Sequence, residues 1–453
     1  MPGTLRHSPG FSVTGVSTVM LIGLRASHRR LRHSWPFVVA GILAACGSSP
    51  ETPKNDGGIT DGPARDSAGD GGGSADDDKC AGTTSNEAGP GDAWTAMPLI
   101  NDTSTGPRPV THIGADFVTG IYYESPDKGL ILTADDGSLN SLGGAVFKAT
   151  GSAVTSVAFS GDNTGIRHSG TVDFVGVERT PTGYIAMAYA NEVIASHDGG
   201  ATFMLESNAA ASRFSIDRTL AYRVTTSGTT MVLNNGVIAA STAAPGPTAS
   251  YDDIWSSSGS NAACKDGPHA QSTPTTSYSV HISPDRQFVA YTAAPDQEPT
   301  VCISTDGGRS FTARPVGVTT SITPPIGVIF MTKKRGLAWF GSGAAGSAYI
   351  KRTTDGGVTW TTPVLPGELA TNAVELQAGY VGTDCMHAWL AGYDLTADKA
   401  VLLASSDGGV TWTKVAGISD VVAAAGGSKL YSVFALDTAH VWIGGSRGVI
   451  VHN

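Results

Sequence analysis

Charged side chains are scarce in this chain, at 15% of 453 residues, and there are only five cysteines. No two cysteines stand at C-x-x-C spacing, which removes the usual zinc-site pattern and the dithiol redox motif. There is no H-E-x-x-H, so the helix-borne zinc peptidase site has no residues here. The eleven histidines are scattered; His281 and His387 fall on strand-like runs and read as packing or rim residues. A formal charge of −10 argues against binding nucleic acid, whose phosphates select basic surfaces. No apolar run is long enough to cross a bilayer as a helix.

Glycine, by contrast, is abundant, with 58 residues. The front end has its own character. Arg25, Arg29, Arg30 and Arg32 precede a short apolar run, PFVVAGILAA (36–45), that stops at Cys46. A basic flank followed by such a run is an export signal. Leu43-Ala44-Ala45-Cys46-Gly47 resembles the lipobox of bacterial lipoproteins, a resemblance that implies cleavage before Cys46 and acylation of its thiol. Residues 1–45 are then the signal peptide, with Met20 an alternative start. The resemblance implies a cell-envelope location, at the outer membrane or surface rather than the inner membrane.

Five arginines and no acids precede Cys46, so the chain from Cys46 onward carries −15. Ten acids and three bases fall within 47–92, a Gly/Asp-rich stretch without the apolar residues a core needs. Residues 46–92 read as a solvated tether whose Asp spacing does not fit a calcium loop. Beyond Cys46, the cysteines are Cys80, Cys264, Cys302 and Cys385, which allow three pairings in an oxidising compartment. Cys264–Cys302 is favoured because it would pin a long insertion.

The repeats dominate the remainder. TTDGGVTW (353–360) returns as SSDGGVTW (405–412), with looser copies SHDGGATF (196–203) and STDGGRSF (304–311). Asp-Gly-Gly supplies the positive φ angles of a tight hairpin, and the aspartate accepts backbone N–H groups across it. Short alternating runs precede each copy, as in LQAGYVG (376–382), HAWLAG (387–392) and KAVLLAS (399–405). One repeat is therefore four strands in meander order.

The pattern resembles the Asp-box of BNR-repeat proteins, in which the box is a structural turn. Carried onto this chain, the box residues are Ser196, Asp198, Gly200, Thr202 and Phe203; Ser304, Asp306, Gly308, Ser310 and Phe311; Thr353, Asp355, Gly357, Thr359 and Trp360; and Ser405, Asp407, Gly409, Thr411 and Trp412. A degenerate box is read at TADDG (133–137), and LNNGV (233–237) stands in the third repeat.

Seven first strands can be counted: THIGADF (111–117), DFVGVER (173–179), SRFSID (212–217), YSVHIS (278–283), IGVIFMT (326–332), LQAGYVG and YSVFAL (431–436). Their spacing of about fifty-four residues suits propeller blades. The last repeat stops after three strands, and DAWTAMPLI (92–100) resembles the missing fourth. The expected fold is all-β, a single seven-bladed β-propeller of four-stranded antiparallel blades over 93–453, closed by that N-terminal strand.

Function must come from a site rather than from the scaffold. The sialidase resemblance implies an arginine triad and a Tyr nucleophile with an acidic partner, but the F/Y-R-I-P motif is absent. Arg213, Arg218, Arg223, Arg286 and Arg352 are scattered. The adjacent Asp252 and Asp253 are too close in sequence to flank a glycosidic bond. Residues 241–277 exceed a blade turn, and Tyr251, Asp252, Asp253 and Trp255 within them form a candidate ligand-contact loop. The propeller resemblance extends to photosystem assembly factors, which act as binding scaffolds. It implies a non-enzymatic, monomeric scaffold for an envelope protein or glycan, touching the membrane only through its lipid, without cofactor or metal. A sialidase-like or other glycoside hydrolase and a purely structural envelope protein are the alternatives.

Overall fold

The computed structural model describes Cys80 and residues 93–97, 117–134, 146–159 except 152 and 157, 174–179, 184–188, 193–205 except 197, 219–224, 230–234, 237–241, 252–256, Cys264, 280–283, 287–293, 299–317, 327–340, 349–370 and 373–453. The described strands begin with β1 (Thr95–Met97). A first sheet follows from β2 (Phe117–Ser125), β3 (Lys128–Ala134), β4 (Val146–Thr150) and β5 (Ala153–Ser156). β6 (Ala158–Phe159) joins the second sheet, made by β7 (Phe174–Arg179), β8 (Tyr184–Ala188), β9 (Val193–Ser196) and β10 (Thr202–Leu205). The third holds β11 (Thr219–Val224), β12 (Thr230–Asn234), β13 (Val237–Ser241) and β14 (Asp252–Ser256).

The fourth sheet holds β15 (Val280–Ile282), β16 (Val289–Ala293), β17 (Thr300–Ser304) and β18 (Thr312–Pro315). The fifth has β19 (Gly327–Phe330), β20 (Gly336–Phe340) and β21 (Tyr349–Thr353), with an Arg352–Thr361 bridge where a fourth strand would pair. The sixth runs β22 (Val374–Val381), β23 (Ala388–Asp394), β24 (Lys399–Ser405) and β25 (Thr413–Lys414). In the seventh, β26 (Leu430–Asp437), β27 (His440–Gly445) and β28 (Ile450–His452) are completed by β1, in the order β1-β28-β27-β26. Among the described strands every pairing is antiparallel except the parallel β6–β10 contact, and outside them Val364 and Thr411 form an isolated parallel bridge.

The strand contributed from the N-terminal side is thus present. Thr95 lies opposite His452, Ala96 opposite Val451 and Met97 opposite Ile450. The physical reason is an unfilled ladder: β28 would otherwise expose a row of unpaired N–H and C=O groups. Trp94 and Met97 are buried in one core with Val449, Ile450 and Val451, and removing Met97 from water contributes about 2 kcal/mol. First strands pack side by side in the series β2, β7, β11, β15, β19, β22, β26, and β26 returns to β2.

A seven-residue helix, α1 (Ile418–Ala424), departs from the all-strand expectation. ISDVVAA places Ile418 and Val422 on one face, both buried, and the helix packs against β24, β28 and β1. It therefore covers the joint where the N-terminal strand enters.

Two repeats are framed differently from the sequence reading. In the first sheet the leading strand is β2, so GIYYES belongs to the first strand rather than the second. TADDG consequently follows the second strand, β3, and is not at the box position, where the chain turns through Gly151 between β4 and β5. In the third sheet TLAYRV is the first strand, β11, and LNNGV joins the second strand to the third. Alternation marks a strand but not its rank, and without a good box as landmark the count slips by one. THIGADF before Phe117 and SRFSID lie outside the described residues.

Candidate functional site

The four good boxes fold alike. In each, the Ser or Thr at the start donates its hydroxyl to Asp Oδ1 at 2.7–2.8 Å. The Ser or Thr hydroxyl oxygen in turn accepts the N–H of the second glycine at 2.7–2.9 Å. The later Thr or Ser donates its backbone N–H to Oδ1 at 2.8–3.0 Å and its hydroxyl to Oδ2 at 2.6 Å. Both glycines of every box have φ between 68° and 87°, the left-handed region.

These bonds hold the carboxylates ionised. Hydrogen bonds from the Thr202 side chain and backbone set Asp198 well below the usual carboxylate range. Partial burial pushes Asp306 upward, but its bonds from Ser310, Ser304 and Arg309 outweigh that and bring it down to about 2. Asp355 and Asp407 are lowered by the same balance. Every acceptor is spent inside its own turn.

The boxes also join sheets. A Cβ on Gly409 would stand 2.6 Å from Leu337 of β20, and one on Gly357 would stand 2.6 Å from Ile303 of β17. In both cases the contact is on the preceding sheet. Trp412 is buried with Leu337 and Trp339, and Trp360 packs on Phe330 at 6.3 Å. Arg352 of the fifth sheet donates Nε–H to Gly408 O of the sixth box at 2.8 Å. These two boxes pin the fifth and sixth sheets to the sheets that precede them.

First and third strands run toward this box end, so the starts of the first strands mark the opposite end. There, between the sixth and seventh sheets, lies chemistry the repeat does not explain. Glu375 on β22 faces Tyr393 across the ladder to β23. Gln377 donates Nε2–H to Glu375 Oε1 at 2.6 Å. Tyr431 of β26 is 6.2 Å from Tyr393 and 4.8 Å from Phe117 of β2, so three rings step across three sheets. Lys429 Nζ stands 4.5 Å above the Tyr393 ring. Burial first, then the charge of Glu375, that of Tyr431 and the hydrogen bond the phenol donates to Glu375 hold the Tyr393 hydroxyl far above its ordinary range, against a smaller lowering by a hydrogen bond from Gln377. Tyr431 is raised mainly by burial, then by Glu375 and Asp398.

The comparisons with known proteins bear on the scaffold. No family model matches the sequence, and neither does any curated protein. Among solved structures, the chain is similar to YCF48 from Cyanidioschyzon merolae, at TM-score 0.54 and 13% identity, over 80% of this chain and 98% of that one. It is similar to YCF48 bound to D1 peptide at TM-score 0.52 and 13% identity, over 81% and 97%. A GH74 xyloglucanase from Xanthomonas campestris gives TM-score 0.52 and 12% identity over 79% of this chain and 53% of that one. The fold is a β-propeller.

The propeller distributes the residues singled out from sequence unevenly. Asp252, Asp253 and Trp255 are not on a free loop: they belong to β14, the fourth strand of the third sheet, with Trp255 opposite Ile238. The physical reason is again an unfilled ladder, here that of β13, and the insertion shortens to 257–279. Tyr251 lies outside the described residues, as do Cys46, Arg213, Arg218 and Arg286. Cys264 is joined to Cys302 on β17, and Cys80 to Cys385 in the β22–β23 turn. The second disulfide joins Cys80 to the box end of the propeller. His281 is buried beside Phe288 and Phe330. His387 pairs with Asp384 across a turn whose N–H groups Asp384 also accepts.

Sequence reading missed the Glu375, Gln377 and Tyr393 set, whose only signal was polar residues at alternate β22 positions, one of them opposite a tyrosine. Two glycine-rich strings nonetheless match motif patterns. Gly444-Gly445-Ser446-Arg447-Gly448 spells G-x-S-x-G, but it links two strands, and Ser446 Oγ caps the Ser428 and Lys429 N–H groups at 3.0 and 3.3 Å. The G-x-G-x-x-G string at 341–346 runs from β20 toward β21 and lies outside the described residues.

Proposed function

We propose that this chain is an exported, lipid-anchored, seven-bladed β-propeller that acts as a non-enzymatic binding scaffold for an envelope partner, protein or glycan. The anchor is Cys46, the tether is 46–92, and the box residues are joints of the ring. The observation that carries the reading is the niche at the end opposite the boxes. It combines a carboxylate, a buried amide and adjacent tyrosines, groups suited to holding a ligand. One structural neighbour is described with a peptide bound, and comparable use of this propeller is part of the proposal.

A hydrolase reading has one observation in its favour, because a tyrosine hydrogen-bonded to a carboxylate is the pair the sialidase resemblance implies. Against it, Tyr393 is only 6% exposed and its phenol is held protonated, so the oxygen is both screened and a poor nucleophile. Chemical crosslinking on intact cells tests the scaffold: one stoichiometric partner is expected, and repeated recovery of none overturns the reading. A fluorogenic sialoside and glycan panel should show no turnover; hydrolysis lost in Tyr393→Phe would establish the alternative. Cys46→Ala should move the protein to the soluble fraction, and continued membrane retention would remove the anchor.

A further inference from the structure

The niche contains an unmatched acceptor. Gln377 is 2% exposed, and its Oε1 has neither solvent contact nor a hydrogen-bond donor. The amide orientation is set by chemistry: a carboxylate only accepts, so Nε2 must face Glu375 and the oxygen is left over. A buried acceptor without a donor is costly and rare in native proteins. What is missing is a donor.

Its surroundings specify the kind. The Glu375 carboxylate lies against the same amide, and two tyrosine rings flank it. Asp398 adds a second negative charge near Tyr431. Carboxylates beside aromatic faces attract cations, through direct pairing and through the ring quadrupole. The chain already places a cation there, since Lys429 Nζ rests over Tyr393. That ammonium serves as an internal stand-in for a ligand of its own class.

We propose that the niche formed by Glu375, Gln377, Tyr393 and Tyr431 receives a lysine or arginine side chain from a protein partner, which displaces Lys429. The proposal deepens the scaffold reading and rests on it. The receptor lies at the end opposite the Cys80–Cys385 disulfide.

The test uses fluorescence anisotropy of full-length protein with labelled Gly-Ser-Xaa-Ser-Gly peptides, where Xaa is lysine, arginine or norleucine. Lysine and arginine peptides should bind about tenfold more tightly than norleucine. Gln377→Leu and Glu375→Gln should each abolish that preference, while Lys429→Ala should tighten binding about fivefold by removing the competitor. Melting curves identify any variant that fails to fold, and the other two then carry the test. Equal affinity for lysine and norleucine peptides, or a preference that survives both Gln377→Leu and Glu375→Gln, overturns the proposal. A partner recovered by crosslinking whose affinity is unchanged in those variants also overturns the niche, while the scaffold reading survives.

Discussion

The two ends of the propeller strands solve the same problem differently. At the box end, each aspartate accepts from donors supplied within its own eight residues, although the buried indole N–H groups of Trp360 and Trp412 find no acceptor. At the opposite end, Glu375 and Gln377 satisfy each other only in part, and an amide oxygen remains unmatched. Chemistry that recurs and closes on itself belongs to the scaffold. A carboxylate and an unmatched amide oxygen beside aromatic rings are groups a ligand can answer.

The sharpest way to break this contrast is at a box glycine. Gly409→Val puts a branched side chain at positive φ and into Leu337, and should cost about 3 kcal/mol, read as a lowered unfolding midpoint. An unchanged midpoint would mean the boxes are not joints. Cys80→Ser should cost about 2–4 kcal/mol in the oxidised protein, and reductant should lower wild-type melting while leaving the variant less affected. Asp407→Ala removes charge-assisted bonds worth about 1–3 kcal/mol and should leave peptide binding intact. Tyr393→Phe should change stability by about 1 kcal/mol or less while weakening binding, the reverse of the box variants.

Acid sharpens the same comparison. The box aspartates titrate lower in the folded chain than the ordinary value near 3.9. Depressed folded values mean their stabilisation is fully present above that ordinary value and is lost as pH falls through the folded ones, near 2 for Asp306. Melting temperature should therefore fall steeply below about pH 4, and the fall should be shallower in a variant carrying Asn at all four positions.

Much of the scaffold was legible because its signals are local. The octapeptide carries its own turn geometry, and DAWTAMPLI announces an outgoing strand by likeness to VTWTTPVLP. Framing failed in the first and third repeats, where alternation continues but no box fixes the rank of a strand. The niche was illegible because its members come from β22, β23 and β26, and only the packing of two sheets brings them together. The Cys80–Cys385 bond was equally hidden, joining residues 305 positions apart. Asp252 and Asp253 misled for the opposite reason: polar residues in a long connection look like a loop, yet backbone pairing ignores side-chain polarity.

Thr95 and His452 meet across 357 residues. A chain emerging from the ribosome therefore delivers β1 long before its ladder partner exists. Until the final stretch is made, Trp94 and Met97 have no permanent home and the growing arc has two open rims. Closing the circle therefore requires β1 to wait until β28 has been made.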